Sequence, residues 1–275
     1  MEIPTIKAIK PENRWNMDEA GIMEGQGENG LVVGSAKKRF IQKKQPGSKA
    51  WTSFIECISP IGKALDPLIM FKGKSVQQQW FPIGLAPYQG WKFTSTDNGW
   101  TSDATALEWL QKVFIPRTAP YDLNEARLLI LDGHGSHETL EFMWKCYLHN
   151  IHLLFLPAHT SHVLQPLDLS IFAPLKRAYR KRLGNLALLN DSTPIGKRNF
   201  LDCYKLARID ALTVANCKAG WGASGLWPVR MSKPLMNRLL LENSNKAAEQ
   251  TPGTLAKDFI PEWNRDSSFV AFQTP

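Results

Sequence analysis

The stretch ARLLILD, residues 126–132, narrows the choice of folds more than any other part of this sequence. It is apolar almost throughout, so neither face can be left to water. A strand of that kind belongs in the middle of a sheet with helices on both sides. It ends at Asp132–Gly133, where the glycine begins a turn. The carboxyl ends of central strands are where open α/β sheets place their sites.

The surrounding segments fit that layering. TSDATALEWLQKVFIPRT puts Ala106, Leu107, Leu110, Val113 and Phe114 at helical spacing. Ser102 or Asp103 can cap its start, and Pro116 limits its end. HETLEFMWKCYLHN predicts a second helix, with Leu140, Met143, Trp144 and Tyr147 as its inner stripe. IHLLFLP follows as a strand, then the AHTSHVLQP loop and a long helix from about Leu167 to Leu188. Upstream, residues 14–18 alternate Trp15 and Met17 against Asn16 and Asp18. LVV at 31–33, KAWTSFIECISPIG and ALDPLIMFKG continue an antiparallel meander. Strands followed by helix, strand, helix, strand and helix make an α/β layer fold, a mixed central sheet flanked by helices. RNFLDCYKLARIDALTVANCKAGW reads as a helix pair or one interrupted helix, and residues 243–275 as a tail of partial order.

Three aspartates stand out in this order. Asp18 lies in RWNMDEAGI, Asp132 ends the apolar strand, and Asp168 lies in HVLQPLDLSIFAPLKRAYRK, just after a proline. Three carboxylates in one sheet-and-helix unit can hold two divalent ions for phosphodiester chemistry. Acids buried side by side need metal or protons to offset their repulsion. Glu19 points to the other side of its strand from Asp18, which argues against a ligand role. His134, His137, His159 and His162 form two pairs that zinc could use, but no thiol pair accompanies them.

With NMDEAG, LILDGHGSH and LPAHTSHVLQPLDLSIFAPLKRAY in place, the chain resembles the DDE endonuclease domain of pogo/Fot-type transposases in the Tc/mariner superfamily. The likeness covers roughly residues 10 to 230. It implies a ribonuclease H-like fold and a catalytic triad of Asp18, Asp132 and Asp168. The implied cofactor is two Mg²⁺ or Mn²⁺ ions, with Asp18 bridging both. The implied activity is hydrolytic nicking at element ends followed by strand transfer. His137, His162 and Gln165 are candidates for hydrogen bonds to the carboxylates, to water or to the DNA backbone. Such families carry an N-terminal helix-turn-helix region that reads DNA sequence. Only seventeen residues precede Asp18, so the expectation is a core without that region. The alternative is a catalytically silent or domesticated transposon-derived DNA-binding protein.

The net charge of +8 suits a polyanion partner. Lys176, Arg177, Arg180, Lys181 and Arg182 cluster on the helix that starts beside Asp168 and are the expected DNA contacts. Lys37, Lys38, Arg39, Lys43 and Lys44 form a second basic strip, and Trp91 and Trp100 read as core or loop anchors. Cys57, Cys146, Cys203 and Cys217 show no metal-ligand spacing and read as reduced, buried thiols. No apolar run is long enough to cross a membrane, and MEIPTIKAIKPENRW has no signal core. A DNA role implies the nucleus, and a homo-oligomer or a full-length transposase as partner. The expected domains are an endonuclease core with a helical extension over 1–228 and a partly ordered tail over 229–275.

Overall fold

The computed structural model describes residues 4–25, 50–133, 138–189 and 196–235. The LVV segment, the basic strip at 37–44, His134, Gly135, His137 and the 243–275 tail lie outside them.

The helices are α1 Pro4–Ala8, α2 Asp103–Trp109, α3 Ile115–Arg117, α4 Leu140–Leu148, α5 Ser161–Leu164, α6 Pro166–Ser170, α7 Phe172–Leu189, α8 Lys197–Ala211, α9 Val214–Ser224 and α10 Ser232–Leu235. The strands are β1 Arg14–Met23, β2 Trp51–Ile58, β3 Leu68–Lys72, β4 Lys92–Thr96, β5 Arg127–Asp132 and β6 Ile151–Leu156. They form one sheet in the order β4-β3-β2-β1-β5-β6. β1, β2 and β3 are an antiparallel meander, whereas β5 runs parallel to β1 and β6 parallel to β5. This is the mixed sheet of a ribonuclease H-like fold. β4 adds an edge strand parallel to β3, which the sequence pattern does not reveal.

The pleat sorts side chains onto two cores. Trp15 and Met17 of β1 and Leu129 and Leu131 of β5 pack with Ala106, Trp109, Leu110, Val113 and Phe114, and with Phe142 and Cys146 of α4. Ala20 and Ile22 of β1 and Leu128 and Ile130 of β5 face the opposite core, with Leu167, Leu175, Tyr179, Phe200, Tyr204 and Trp221. β5 is therefore covered on both faces, as its composition demands.

Two helices differ from expectation. In α4, Leu140, Met143, Trp144 and Tyr147 are exposed, and Phe142 and Cys146 are the residues that reach the core. The helix is apolar on both stripes, and the narrower one joins the core beside β6 and α2. The long helix expected from Leu167 is two helices broken at Ile171. Pro174 has no N–H to offer the Ser170 carbonyl, so the helical ladder loses a bond there and the helix is interrupted at Ile171. The segment from Asp103 to Arg117 stays helical by way of a π-turn at Leu110–Phe114, and the Ser102 hydroxyl caps its start by accepting from the Thr105 N–H.

Buried polar links tie the layers together. Glu56 of β2 is fully buried and accepts from Tyr204 Oη at 2.6 Å and from Arg208 Nε and Nη2 at 2.7 and 2.9 Å. This clamps α8 to the sheet. Tyr179 Oη donates to the Glu24 carbonyl at 2.7 Å and does the same for α7. Trp91 packs on the Tyr204 ring, and Trp100 lies against Trp51 with ring centroids 5.4 Å apart, so both serve as anchors. All four cysteines are free and buried. Burial pushes the Cys146 thiol up to about 12 and the Cys203 and Cys217 thiols up to about 11. Among the described residues, no helix is long and apolar enough to cross a membrane.

Candidate active site

The parallel register of β1 and β5 brings the first two aspartates together. The paired stretch ends at Asn16 beside Ile130, two residues before Asp18 and two before Asp132, and the Asp132 charge is felt at Asp18. Both share the parity of Ile130 and Ala20, whose side chains face the core that α6 to α9 cover. Asp168 is the third residue of α6, in its first turn. Its helix is held against β1 by two contacts. The Leu167 N–H donates to Asn16 Oδ1 at 3.1 Å, and Gln165 Nε2 donates to the Met17 carbonyl at 3.4 Å. α9 presses on α6 from behind. A Cβ at Gly220 would stand 2.4 Å from the Pro166 carbonyl oxygen, so only glycine permits that approach.

The three acids occupy different environments. Asp18 is buried, Asp132 is half-buried, and Asp168 stands exposed at the rim. Burial raises the Asp18 pKa well above the usual carboxylate range, and the Asp168 and Asp132 charges add to the rise. Hydrogen bonds from Gln165 and from the Glu19 N–H oppose it. The Asp168 carboxyl is also raised. Desolvation by the packed surroundings leads, with the Lys176 charge opposing it, Asp132 adding to it and His162 opposing it. The three carboxylates thus share one electrostatic neighbourhood.

The remaining candidates divide. Gln165 is fully buried at the site, and its Oε1 has no hydrogen-bond partner among the described residues. His162 is exposed and close enough to Asp168 to favour its charged form. Glu19 turns away and accepts hydrogen bonds from Thr101, in keeping with its place on the opposite face. On α7, Arg177, Arg180 and Lys181 are exposed, whereas Lys176 is half-buried beside the site with Nζ 5.9 Å from the Phe172 ring centroid. Arg182 is paired with Asp210 of α8, so its charge is partly spent inside the protein. Asn16, buried and bonded to both neighbouring elements, is the site residue that the sequence reading passes over.

Oxygen donors of this kind suit hard divalent cations such as Mg²⁺ or Mn²⁺. The buried, mutually repelling charge gives such an ion a reason to bind. Among the described residues, however, no three His, Cys, Asp or Glu side chains are gathered closely enough to hold a metal ion. The donor chemistry fits, but the carboxylates stand farther apart than in a closed cage. A cavity of about 720 Å³, lined by Lys10, Asn13, Lys63, Arg117, Tyr121 and Glu125 among others, opens where β1 and β5 begin. It lies at the other end of the strands from Asp132 and contains none of the three acids.

The comparisons with known proteins bear on the family. The family model for the DDE superfamily endonuclease matches residues 48–221. A protein of Cochliobolus lunatus named MFS-type transporter clz9 is 35% identical over 224 residues, covering 81% of this chain and 24% of that protein. The human pogo transposable element with KRAB domain is 25% identical over 127 residues, covering 46% of this chain and 20% of its own length. The chain therefore spans a quarter or less of the length of these curated relatives. Among solved structures, the Mos1 strand transfer complex is similar with a TM-score of 0.47 and 12% identity, covering 79% of this chain and 52% of that one. The catalytic domain of Mos1 mariner transposase gives a TM-score of 0.40 and 12% identity, covering 82% and 87%.

Proposed function

This chain belongs to the DDE superfamily endonuclease family, and from that premise we propose that it is a metal-dependent DNA endonuclease core of the transposase type. The observation that carries the reading is the coupling of buried Asp18 to both Asp132 and Asp168. Among the described residues, the charges that act on Asp18 are those of Asp168 and Asp132, and both raise its pKa. Lys176 and His162 favour the charged form of Asp168 instead.

In this reading Asp18, Asp132 and Asp168 hold two Mg²⁺ or Mn²⁺ ions. When bound, the ions supply activation of the attacking oxygen and stabilisation of the leaving oxygen in phosphodiester hydrolysis or strand transfer. The protein supplies position and charge. Asp18 comes from β1, Asp132 from the end of β5 and Asp168 from the first turn of α6. Gln165 is held beside Asp18 by the bond its Nε2 donates to the Met17 carbonyl. Its unsatisfied Oε1 is a buried acceptor suited to a water or hydroxyl donor at the site. His162 and the undescribed His137 are the candidates to orient water or DNA. Arg177, Arg180 and Lys181 hold DNA phosphates along α7, with Lys176 at the end nearest Asp168, while Arg182 contributes less because Asp210 already engages it. Phosphate contacts position DNA without reading bases, so sequence recognition comes from a further region or partner. The setting we infer is the nucleus, with the chain acting as a homo-oligomer or beside a full-length transposase.

The test is nicking of supercoiled plasmid with Mn²⁺ by the wild type and by Asp132→Asn and Asp168→Asn. Nicks by the wild type that both substitutions abolish are expected. A second reading, a silent DNA-binding protein, is favoured by the exposed basic residues of α7. It predicts salt-sensitive DNA retention without metal-dependent nicks.

A further inference from the structure

We propose that Asn16 is a positioning residue that sets the three acids of this site relative to one another. The inference rests on the metal-site reading above and deepens it. Asn16 is fully buried on β1, two residues before Asp18 and on the same face. Its Nδ2 donates to the Ile130 carbonyl at 3.1 Å, two residues before Asp132 on β5. Its Oδ1 accepts from the Leu167 N–H at 3.1 Å, one residue before Asp168 on α6. One side chain therefore touches all three acid-bearing elements, and each contact lies within two residues of an acid.

The chemistry explains why an amide stands there. The first N–H groups of a helix have no partner within it. α6 has only five residues, and Gln165 at its N-cap makes no side-chain capping bond. Asn16 supplies that cap from another strand, so the start of α6 is fixed to β1 rather than to its own loop. A single group must also donate to Ile130, which a carboxylate cannot do when ionised. Alanine or leucine could make neither bond. A buried amide costs free energy unless it is hydrogen-bonded, and here both of its ends are used. The arrangement places the Asp168 helix by reference to the strand that carries Asp18.

The test measures Mn²⁺ affinity directly, from the free-ion electron paramagnetic resonance signal, in metal-stripped protein spanning residues 1–275. Wild type, Asn16→Ala, Asn16→Leu, Asp132→Asn and Tyr88→Phe are compared at a temperature where circular dichroism finds each folded. Tyr88→Phe removes a hydrogen bond to Asp202, a pair that neither Asp18 nor Asp168 feels, and serves as the control for general loss of stability. Residues that orient metal ligands typically contribute about 10–100-fold to affinity. Asn16→Ala and Asn16→Leu are expected to weaken Mn²⁺ binding by about that factor, while Tyr88→Phe leaves it unchanged. Leucine keeps the volume, so it separates the lost bonds from a cavity. Wild-type affinity in either folded Asn16 variant, beside weakened binding in Asp132→Asn, overturns the proposal while the metal-site reading stands. Failure of both Asn16 variants to fold also overturns it, because Asn16 then holds the fold rather than the site. Absence of Mn²⁺ binding in the wild type, or no loss in Asp132→Asn, overturns the metal-site reading itself and this proposal with it.

Discussion

Glu56→Gln is the sharpest test of how the helical layer is held on the sheet. Glu56 has no exposed surface, and the Arg208 side chain is only 16% exposed. Burial alone lowers the Arg208 pKa, and the Glu56 charge and hydrogen bond outweigh it, leaving the guanidinium more firmly charged than usual. Glutamine keeps the volume and can still accept from Tyr204. Its amide oxygen, left at the place of Oε1, still meets Tyr204 and Arg208 Nε, but its amino end meets Arg208 Nη2, so the bond at 2.9 Å is lost and the bond at 2.7 Å loses its charged acceptor. Charged hydrogen bonds contribute about 1.5–3 kcal/mol each, and removing one partner of a buried ion pair costs about 3–5 kcal/mol. The two figures agree, so a loss of about 3–5 kcal/mol is expected from a net stability of about 5–15 kcal/mol. In urea, with a slope near the upper end of about 1–3 kcal/mol/M, the midpoint falls by about 1–2 M at unchanged slope. The Glu56→Leu/Arg208→Met double variant removes both charges and is expected to recover most of the loss. A midpoint shift below about 0.3 M for Glu56→Gln refutes the reasoning.

Asp18→Asn is expected to raise the melting temperature of the metal-free protein at neutral pH. Burial, then the Asp168 and Asp132 charges, hold the Asp18 pKa above its unfolded value. A carboxyl that binds its proton more tightly when folded adds stability below the unfolded pKa and loses it as pH rises through the folded one. The gain from asparagine therefore shrinks toward about pH 4. Differential scanning calorimetry at both pH values checks this, and equal melting temperatures at neutral pH count against it. Phe142→Ala is expected to cost about 3–5 kcal/mol because Phe142 has no exposed surface. Trp144→Ser, at a residue 55% exposed, is expected to cost under about 1 kcal/mol. The reverse ranking in urea denaturation would restore the sequence-based reading of the α4 inner stripe.

The legible parts of this sequence are those where one local pattern has one meaning. β5 reads as a central strand because neither of its faces can be exposed. Asp18 can be set on the face opposite Trp15 and Met17 because side chains alternate with a period of two. α4 defeats the same logic. Its two stripes are both apolar, and periodicity does not say which of them the sheet can receive. β4 is hidden because its five residues are all half-buried at the sheet edge and carry no one-sided stripe. Asn16 is the most instructive omission. A lone asparagine in a short strand carries no local signal, because its partners Ile130 and Leu167 lie 114 and 151 residues away. The break at Ile171 could have been foreseen from Pro174, whose missing N–H leaves the Ser170 carbonyl without its helical partner.

The measurement that bears most directly on the endonuclease reading is plasmid nicking with mapped cut sites, run with and without Mn²⁺. Wild-type protein is expected to give metal-dependent nicks scattered over many sequences, and Asp132→Asn and Asp168→Asn are expected to give none. Equal cleavage by the wild type and both variants, or DNA binding without any metal-dependent cut, contradicts the account.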